Sequence, residues 1–179
     1  NHDDCSLTRS KNGRVGRRGI AGGTLLIKIV CYYAEIKKCC MEELLEIGAY
    51  YAENIGTIAL AATSCYLPGQ VDKSESNDRI KTDELELGMG AHGEPGAMVI
   101  PFDNVKNVIA KMFQILLDGE EERNYLPWLV EVDKNRNAKV EKVAILINNM
   151  GGLAPLEMGV VKKYVIEYLL QRYGTKASE

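Results

Sequence analysis

The sequence predicts a two-layer α/β fold, in which helices pack against a β-sheet. Apolar residues recur at three- and four-residue spacing in several segments, as in amphipathic helices. Glu84–Leu87 alternates polar and apolar residues, and residues 143–147 form a continuous apolar run, two patterns typical of strands. Because strand-like and helix-like segments alternate along the 179 residues, we predict one α/β domain or part of a larger one.

The first third of the chain is predicted to hold two helices and a strand. One helix begins at Ala21, and a second runs from Met41 to about Ile55 with acidic residues in its first turn, which suit the helix dipole. Residues 58–62 predict a strand that ends in a turn at residues 68–69.

The remainder is predicted to alternate strands and helices. Glu84–Leu87 predicts a strand with one face in water, and it runs directly into the glycine-rich segment 88–96. Residues 98–101 read as extended, and Asp103 is the expected N-cap of a helix that stops near Gly119. The run at 143–147 predicts a strand covered on both faces. A last helix is expected to present one apolar face, formed by Leu156, Val160, Val161, Tyr164, Val165 and Tyr168.

The composition is that of an ordinary globular protein, with 46% apolar and 26% charged residues. The 22 basic and 25 acidic side chains give a net charge of −3, which does not favour general binding to nucleic acid or anionic lipid. No apolar run approaches the roughly 20 residues that a membrane-spanning helix needs.

The cysteines predict free thiols rather than a metal site or a disulfide framework. Five cysteines are an odd number without C-x-x-C spacing, and only His2 and His92 are available as imidazole ligands. Cys31 and Cys65 lie in apolar stretches and are expected to be buried. Free thiols fit a reducing compartment, so we expect a cytoplasmic protein without a protein-bound metal in this segment.

Residues 1–18 are polar and locally basic, with five basic side chains against two acidic ones. They lack interleaved aromatic residues, which makes a nucleic-acid-binding arm less favoured than a solvated linker or an inter-domain seam. Because the chain opens without Met, we expect an excerpt from a longer protein.

Gly88, Gly90 and Gly93 match the spacing G-x-G-x-x-G, but the context argues against a dinucleotide site. Such a site needs a helix that starts inside the motif, because the pyrophosphate binds at the helix N-terminus. Here Pro95 and Gly96 follow at once, before an extended segment. Nucleotide binding through this loop is therefore the weaker interpretation.

His92 is the residue in this loop with the most specific chemistry. Neighbouring glycines such as Gly90 and Gly93 allow a small ligand to approach the backbone and its amides. A neutral imidazole can attack a carbonyl carbon and hold a short ketone or aldehyde as a reversible carbinolamine. Alternatively, His92 is an ordinary surface residue, and Glu94 merely orients its ring; the residues alone leave both readings open.

Four segments with distinctive sequences follow one another along the chain: GRRGIAG (16–22), TSCYLPG (63–69), ELELGMGAHGEPG (84–96) and LINNMGGL (146–153). In this order and spacing they resemble the dihydroxyacetone kinase family, and the last segment is most similar to the eukaryotic triokinase/FMN cyclase branch. The resemblance covers nearly the whole chain.

The resemblance implies that His92 holds dihydroxyacetone or glyceraldehyde as a hemiaminal, with Gly90, Gly93 and Glu94 at the substrate, while a terminal hydroxyl takes a phosphoryl group from ATP. It also implies a mixed β-sheet. Residues 19–179 would form the histidine-bearing second domain of the substrate-binding unit, incomplete at its C-terminus, after a linker and the end of the preceding domain at 1–18. The first substrate domain and the domain that binds ATP and Mg²⁺ would lie outside this segment, and the family implies a homodimer.

Several alternatives stay open at this point. One alternative to a kinase is a non-catalytic co-regulator that binds dihydroxyacetone. Another is a degenerate inactive fragment. The phosphoryl donor, ATP or a phosphocarrier protein, and the cyclisation of FAD to cyclic FMN are also undecided. Asn148 and Asn149 are expected to cap a turn rather than contact substrate. Arg17 and Arg18 are expected to make domain contacts rather than phosphate contacts.

Overall fold

A computed structural model describes residues 3–7, 17–63, 80–117, 125–126 and 143–173, and among them it confirms the α/β class. Contacts divide the chain into two compact units, Asn1–Phe102 and Asp103–Glu179. Among the described residues, the first unit contains two helices and a sheet, and the second contains two helices. In chain order the elements are α1 (Ala21–Glu35), α2 (Met41–Glu53), β1 (Leu60–Ala61), β2 (Glu84–Leu87), β3 (Met98–Pro101), α3 (Val105–Leu116) and α4 (Pro155–Tyr173).

The sheet has the order β1-β2-β3, and both pairings are antiparallel. Leu60 pairs with Leu87, and Leu85 pairs with Ile100, which fixes the register of the central strand. The mixed character expected for the sheet is limited, within the described ranges, to an isolated parallel bridge between Asp4 and Thr57. The central strand β2 therefore carries the chain directly into the glycine-rich segment.

The prediction that one face of β2 is in water is wrong. Leu85 and Leu87 are buried as expected, but Glu86 on the opposite face is only 4% exposed. Its Oε1 accepts a hydrogen bond of 2.7 Å from the amide of Gly96, which satisfies part of the buried carboxylate. Alternation predicts which side chains share a face, but it does not reveal what covers that face.

Helices α1 and α2 form where the apolar spacing predicts them, and they pack against each other. The Ile20 side chain does not cap α1. The carboxylate of Asp3 instead accepts the amides of Ile20 and Gly22, each at 2.9 Å. A carboxylate at this position compensates free amides at the positive end of the helix.

In the second unit, the predicted N-cap of α3 is corrected by one residue. Asn104, not Asp103, accepts the amide of Asn107, at 2.9 Å. Asp103 accepts the Asn104 amide and the Asn107 side-chain amide, and these bonds lower the pKa of its carboxyl. Helices α3 and α4 pack together through stacked rings of Phe113 and Tyr168, whose centroids are 4.5 Å apart.

Two apolar segments of this unit are more exposed than their sequence predicts. Residues 143–147 are not a strand in the described structure, and Val143, Ile145 and Leu146 are exposed. On α4, Leu156 and Val160 of the predicted apolar face are also exposed, whereas Val165 is buried. Apolar composition gives a preference for burial, but a strand also requires a neighbour for its backbone hydrogen bonds.

The remaining structural predictions have mixed outcomes. Cys31 is exposed rather than buried, and the described cysteines Cys5, Cys31, Cys39 and Cys40 are free. The turn at 68–69, the thiol of Cys65 and the helix stop at Gly119 lie outside the described residues. In the part of the chain that is described, no helix has both the length and the apolar character needed to cross a bilayer.

Candidate functional site

The glycine-rich segment forms a tight loop between β2 and β3, called here the His92 loop (residues 88–97). Gly88 and Gly93 have positive φ angles of 81° and 78°, a backbone conformation that favours glycine. The Gly90 amide donates to Glu94 O at 3.0 Å, and the Gly93 amide donates to Gly90 O at 3.1 Å. Because a strand rather than a helix follows the loop, the structure also lacks the helix start that a dinucleotide site would need here.

His92 projects from this loop into solvent, with its side chain 89% exposed. Glu94 contacts it twice: Oε2 accepts the His92 amide at 2.9 Å, and Oε1 lies 3.3 Å from Nδ1 of the ring. The hydrogen bonds that the carboxylate accepts from the backbone amides of Glu94 and His92 lower the pKa of the Glu94 carboxyl. Glu94 is therefore ionised at neutral pH.

The charge on Glu94 determines how the ring can react. An ionised carboxylate only accepts hydrogen bonds, so its contact with Nδ1 favours the tautomer that carries the ring proton on Nδ1. The lone pair of Nε2 is then available on the far side of the ring. The arrangement can support nucleophilic attack by Nε2 on an electrophilic carbon.

Gly90 and Gly93 lie where the sequence places them, beside His92 and Glu94. A methyl group on Gly90 would collide with Oε2 of Glu94 and would lie 3.0 Å from Nη1 of Arg18. The absence of a side chain at Gly90 thus makes room for the carboxylate that holds the histidine. The structure brings all four predicted site residues together in one loop.

Arg18 is a further residue of the site that sequence reasoning assigned only to domain contacts. Its side chain is 16% exposed, and it donates to the backbone of the His92 loop twice, at Pro95 O (3.1 Å) and at Gly88 O. On its other side, Nε donates to Oδ2 of Asp4 at 2.7 Å, and Nη2 donates to Ser6 Oγ at 3.2 Å. One guanidinium therefore joins both ends of the loop to the N-terminal segment.

Residues 3–6 are buried, so the solvated linker, one of the two expectations for the N-terminal segment, is wrong for this part, and the inter-domain seam stays a prediction. Asp4 is 2% exposed, and its Oδ1 accepts the amide and the hydroxyl of Ser6 at 2.8 and 2.6 Å. Asp3, Cys5 and Ser6 are buried as well. The acidic pair Asp3-Asp4 and the basic pair Arg17-Arg18 were the signal available in the sequence, but the sequence does not show which acidic residue contacts which basic one.

Asn148 and Asn149, which the sequence predicts to cap a turn, both use their side chains in local contacts. Asn149 caps a turn, since its Oδ1 accepts the Gly151 amide at 2.9 Å and its Nδ2 donates to Leu153 O at 2.7 Å. Asn148 donates to Met150 Sδ at 3.0 Å. Across the described ranges, no group of three or more His, Cys, Asp or Glu residues is arranged to hold a metal ion.

Comparisons with known proteins agree with the resemblance seen in the motifs. The chain is 36% identical to a dihydroxyacetone kinase of Pichia angusta over 97% of its length, and 29% identical to the triokinase/FMN cyclase of Mus musculus over 98%. It spans 29% and 27% of those two proteins.

A solved structure gives the same result for the fold. The dihydroxyacetone kinase of C. freundii, in complex with AMP-PNP and Mg²⁺, superimposes with a TM-score of 0.72 at 31% identity. That match covers 99% of this chain and 29% of the C. freundii chain. All of residues 1–179 match the Dak1 domain, and the chain therefore belongs to the Dak1 domain family.

Proposed function

We propose that this chain is the covalent-anchor part of a dihydroxyacetone kinase, in which His92 holds dihydroxyacetone or glyceraldehyde as a hemiaminal during phosphoryl transfer from ATP. The observation that carries the proposal is the exposed imidazole of His92, whose Nδ1 faces the ionised Glu94 carboxylate across 3.3 Å. The dihydroxyacetone kinases among its relatives support the substrate class.

The proposed step is an addition to the substrate carbonyl. The Nε2 lone pair of His92 forms a bond to the carbonyl carbon, and the carbonyl π electrons move to oxygen. The resulting alkoxide takes a proton from solvent, while the imidazolium loses its Nδ1 proton to solvent. The negative charge of Glu94 stabilises the imidazolium from the addition until the Nδ1 proton is lost.

This chemistry would select the substrate and fix its position. Glycerol has the same carbon chain but no carbonyl, so it cannot form the adduct. A covalent anchor also holds the terminal hydroxyl in one place, which favours phosphoryl transfer because that reaction depends mainly on positioning and charge stabilisation. Gly93 would allow the substrate to approach the backbone, since it carries no side chain, while Gly90 would act at the substrate indirectly by leaving space for the Glu94 carboxylate.

The other parts of the reaction belong to the longer protein in this proposal. A separate domain would bind ATP and Mg²⁺, which supply the phosphoryl group and neutralise the charge on the phosphates. Residues 19–179 would be the histidine-bearing second domain of the substrate-binding unit, and residues 1–18 the connection to the preceding one. We expect the full-length protein to be a cytoplasmic homodimer, which light scattering and cell fractionation can test.

The adduct can be tested by NMR on the full-length protein labelled with ¹⁵N-histidine. Addition of dihydroxyacetone enriched with ¹³C at its carbonyl should give a tetrahedral carbon signal with a one-bond ¹³C–¹⁵N coupling. The coupling should disappear in H92A and persist in H2A, the matched control at the other histidine of the chain. A wild-type protein without the coupling contradicts the covalent proposal.

A second measurement distinguishes a kinase from a binding protein. The same samples, supplied with ATP and Mg²⁺, should form dihydroxyacetone phosphate, and H92A should lose most of this activity. An adduct without phosphorylation would contradict ATP as the donor and would indicate either the non-catalytic co-regulator or an enzyme that uses a phosphocarrier protein. Neither adduct nor phosphorylation would indicate a degenerate protein.

A further inference from the structure

We propose that Arg18 is a positioning residue for His92: its guanidinium sets the shape of the His92 loop and thereby the position of the imidazole. The inference rests on the proposed function, because it concerns the same nucleophile. Arg18 is distant from the loop in sequence, yet it donates to Pro95 O at 3.1 Å and to Gly88 O. These two carbonyls flank the segment that carries His92 and Glu94.

The other side of the guanidinium is held by the buried N-terminal segment. Oδ2 of Asp4 lies 2.7 Å from Nε and 2.6 Å from Nη2 of Arg18, and Ser6 Oγ lies 3.2 Å from Nη2. Ser6 is itself fixed by two hydrogen bonds to the other oxygen of Asp4. Arg18 therefore has little rotational freedom and can impose its geometry on the loop.

The contacts explain why an arginine is required. The planar guanidinium presents several N–H groups in a fixed fork, so it can donate to the carboxylate and to two carbonyls at once. A lysine supplies the charge for Asp4 but not this geometry. R18K therefore keeps the buried ion pair while removing the contacts that shape the loop.

Arg17 offers a matched control on the same segment. It donates to the backbone oxygen of Asp4 at 2.9 Å and to Cys5 Sγ at 3.2 Å. R17K should therefore disturb the N-terminal segment without removing the two Arg18 donors to the loop. The comparison of R18K with R17K separates positioning of the loop from general stability.

The experiment uses the full-length protein and two measurements. The dissociation constant of the dihydroxyacetone adduct is taken from the coupled NMR signal, and it should rise by on the order of 100-fold in R18K but little in R17K. Hydrogen exchange at the Gly90 and Gly93 amides, both bonded within the loop, should become at least about tenfold faster in R18K. Exchange in α1 and α2 should stay unchanged.

Each outcome decides the proposal. The proposal is wrong if R18K keeps both the adduct affinity and the loop exchange rates of the wild type. It is also wrong if R17K changes these two quantities as much as R18K does. Loss of protection throughout α1 and α2 in R18K means a global structural role and also overturns it. A wild-type protein that forms no adduct contradicts the function of His92, and the exchange measurement then still decides whether Arg18 orders the loop.

Discussion

Glu94 binds His92 through both of its carboxylate oxygens, with Oε2 on the backbone amide at 2.9 Å and Oε1 at 3.3 Å from the ring Nδ1. A residue two positions along the chain thereby fixes both the backbone and the ring of the histidine. The tight turn makes this possible, because it folds the Glu94 side chain back over the preceding peptide. The chemistry of the imidazole consequently depends on the conformation of the loop.

Replacement of Gly90 by alanine should impair the site without unfolding the protein. The new methyl group would meet Oε2 of Glu94, which lies at the end of a flexible side chain and can move away. The displaced carboxylate would no longer hold His92, and we expect kcat/KM for dihydroxyacetone to fall by about tenfold to a hundredfold. Steady-state kinetics and the melting temperature of the full-length protein measure both effects.

G159A is the control for this variant. Gly159 lies on α4, and among the described residues a methyl group there has no neighbour within 4 Å. The kinetics of G159A should equal those of the wild type. If G90A also has wild-type kinetics, the contact between Glu94 and His92 is not needed for the reaction.

The Glu94 carboxyl should titrate below its ordinary pKa of 4.5 in the folded protein. Backbone amides of Glu94 and His92 bond the ionised form, so the folded state holds it more strongly than the unfolded chain does. The resulting contribution to stability is present above the unfolded pKa and is lost as pH falls through the lower folded pKa. A ¹³C NMR titration of the side chain, repeated on denatured protein, measures the two midpoints; a folded midpoint equal to or above the denatured one would refute the prediction.

Two glycines of the helical pair predict opposite effects on stability. A methyl group on Gly22 would lie 2.5 Å from Ile55 Cγ2 and 2.8 Å from Asp3 Oδ2, so G22A should lower the free energy of unfolding by about 1–3 kcal/mol. Gly48 in α2 has its nearest neighbour, Val30 Cγ2, at 3.7 Å. G48A should therefore be neutral or stabilising by up to about 1 kcal/mol, because alanine favours helix.

Urea denaturation of the full-length protein measures both glycine variants. Equal free energies of unfolding for G22A and G48A would show that the start of α1 tolerates a side chain, contrary to the packing described here.

Cys5 should resist alkylation in the folded protein. Burial raises the pKa of its thiol from 9.0 to about 11, which lowers the thiolate fraction near neutral pH by about 100-fold. The neutral thiol contributes stability below pH 9 that is lost as pH rises through 11. Iodoacetamide at pH 8 should label the exposed Cys31 and Cys40 first, and peptide mapping by mass spectrometry shows the order. Labelling of Cys5 as fast as Cys40 would contradict the burial.

Local patterns were sufficient to predict most of the helices and strands. Apolar spacing predicted α1 and α2, and alternation predicted β2. Glycine content and the chemistry of the imidazole identified the His92 loop. These features depend on residues that are close in sequence, and this explains why they were accessible.

The features that the sequence did not reveal depend on distant partners. The sequence predicted unspecified domain contacts for Arg18 and no partner for Asp4, whereas the structure pairs the two residues, and this contact allows the carboxylate to be buried. The side chain of Glu86 was predicted to be exposed to solvent, but it is buried and accepts a hydrogen bond from the amide of Gly96 across the turn. Residues 143–147 were predicted to form a buried strand because they are apolar. The prediction failed because apolar composition does not specify a pairing partner. Periodicity describes one segment at a time and contains no information on these pairings.

The burial of Asp3 and Asp4 has a practical consequence for truncated forms of this protein. A gene shortened to begin at residue 19, where the sequence predicts the domain to start, would delete Arg18 and both aspartates together. Helix α1 would then begin without the carboxylate that accepts its amides, and the loop would lose its anchor. Expression boundaries and fusion tags for biochemical work should therefore be placed upstream of Asp3.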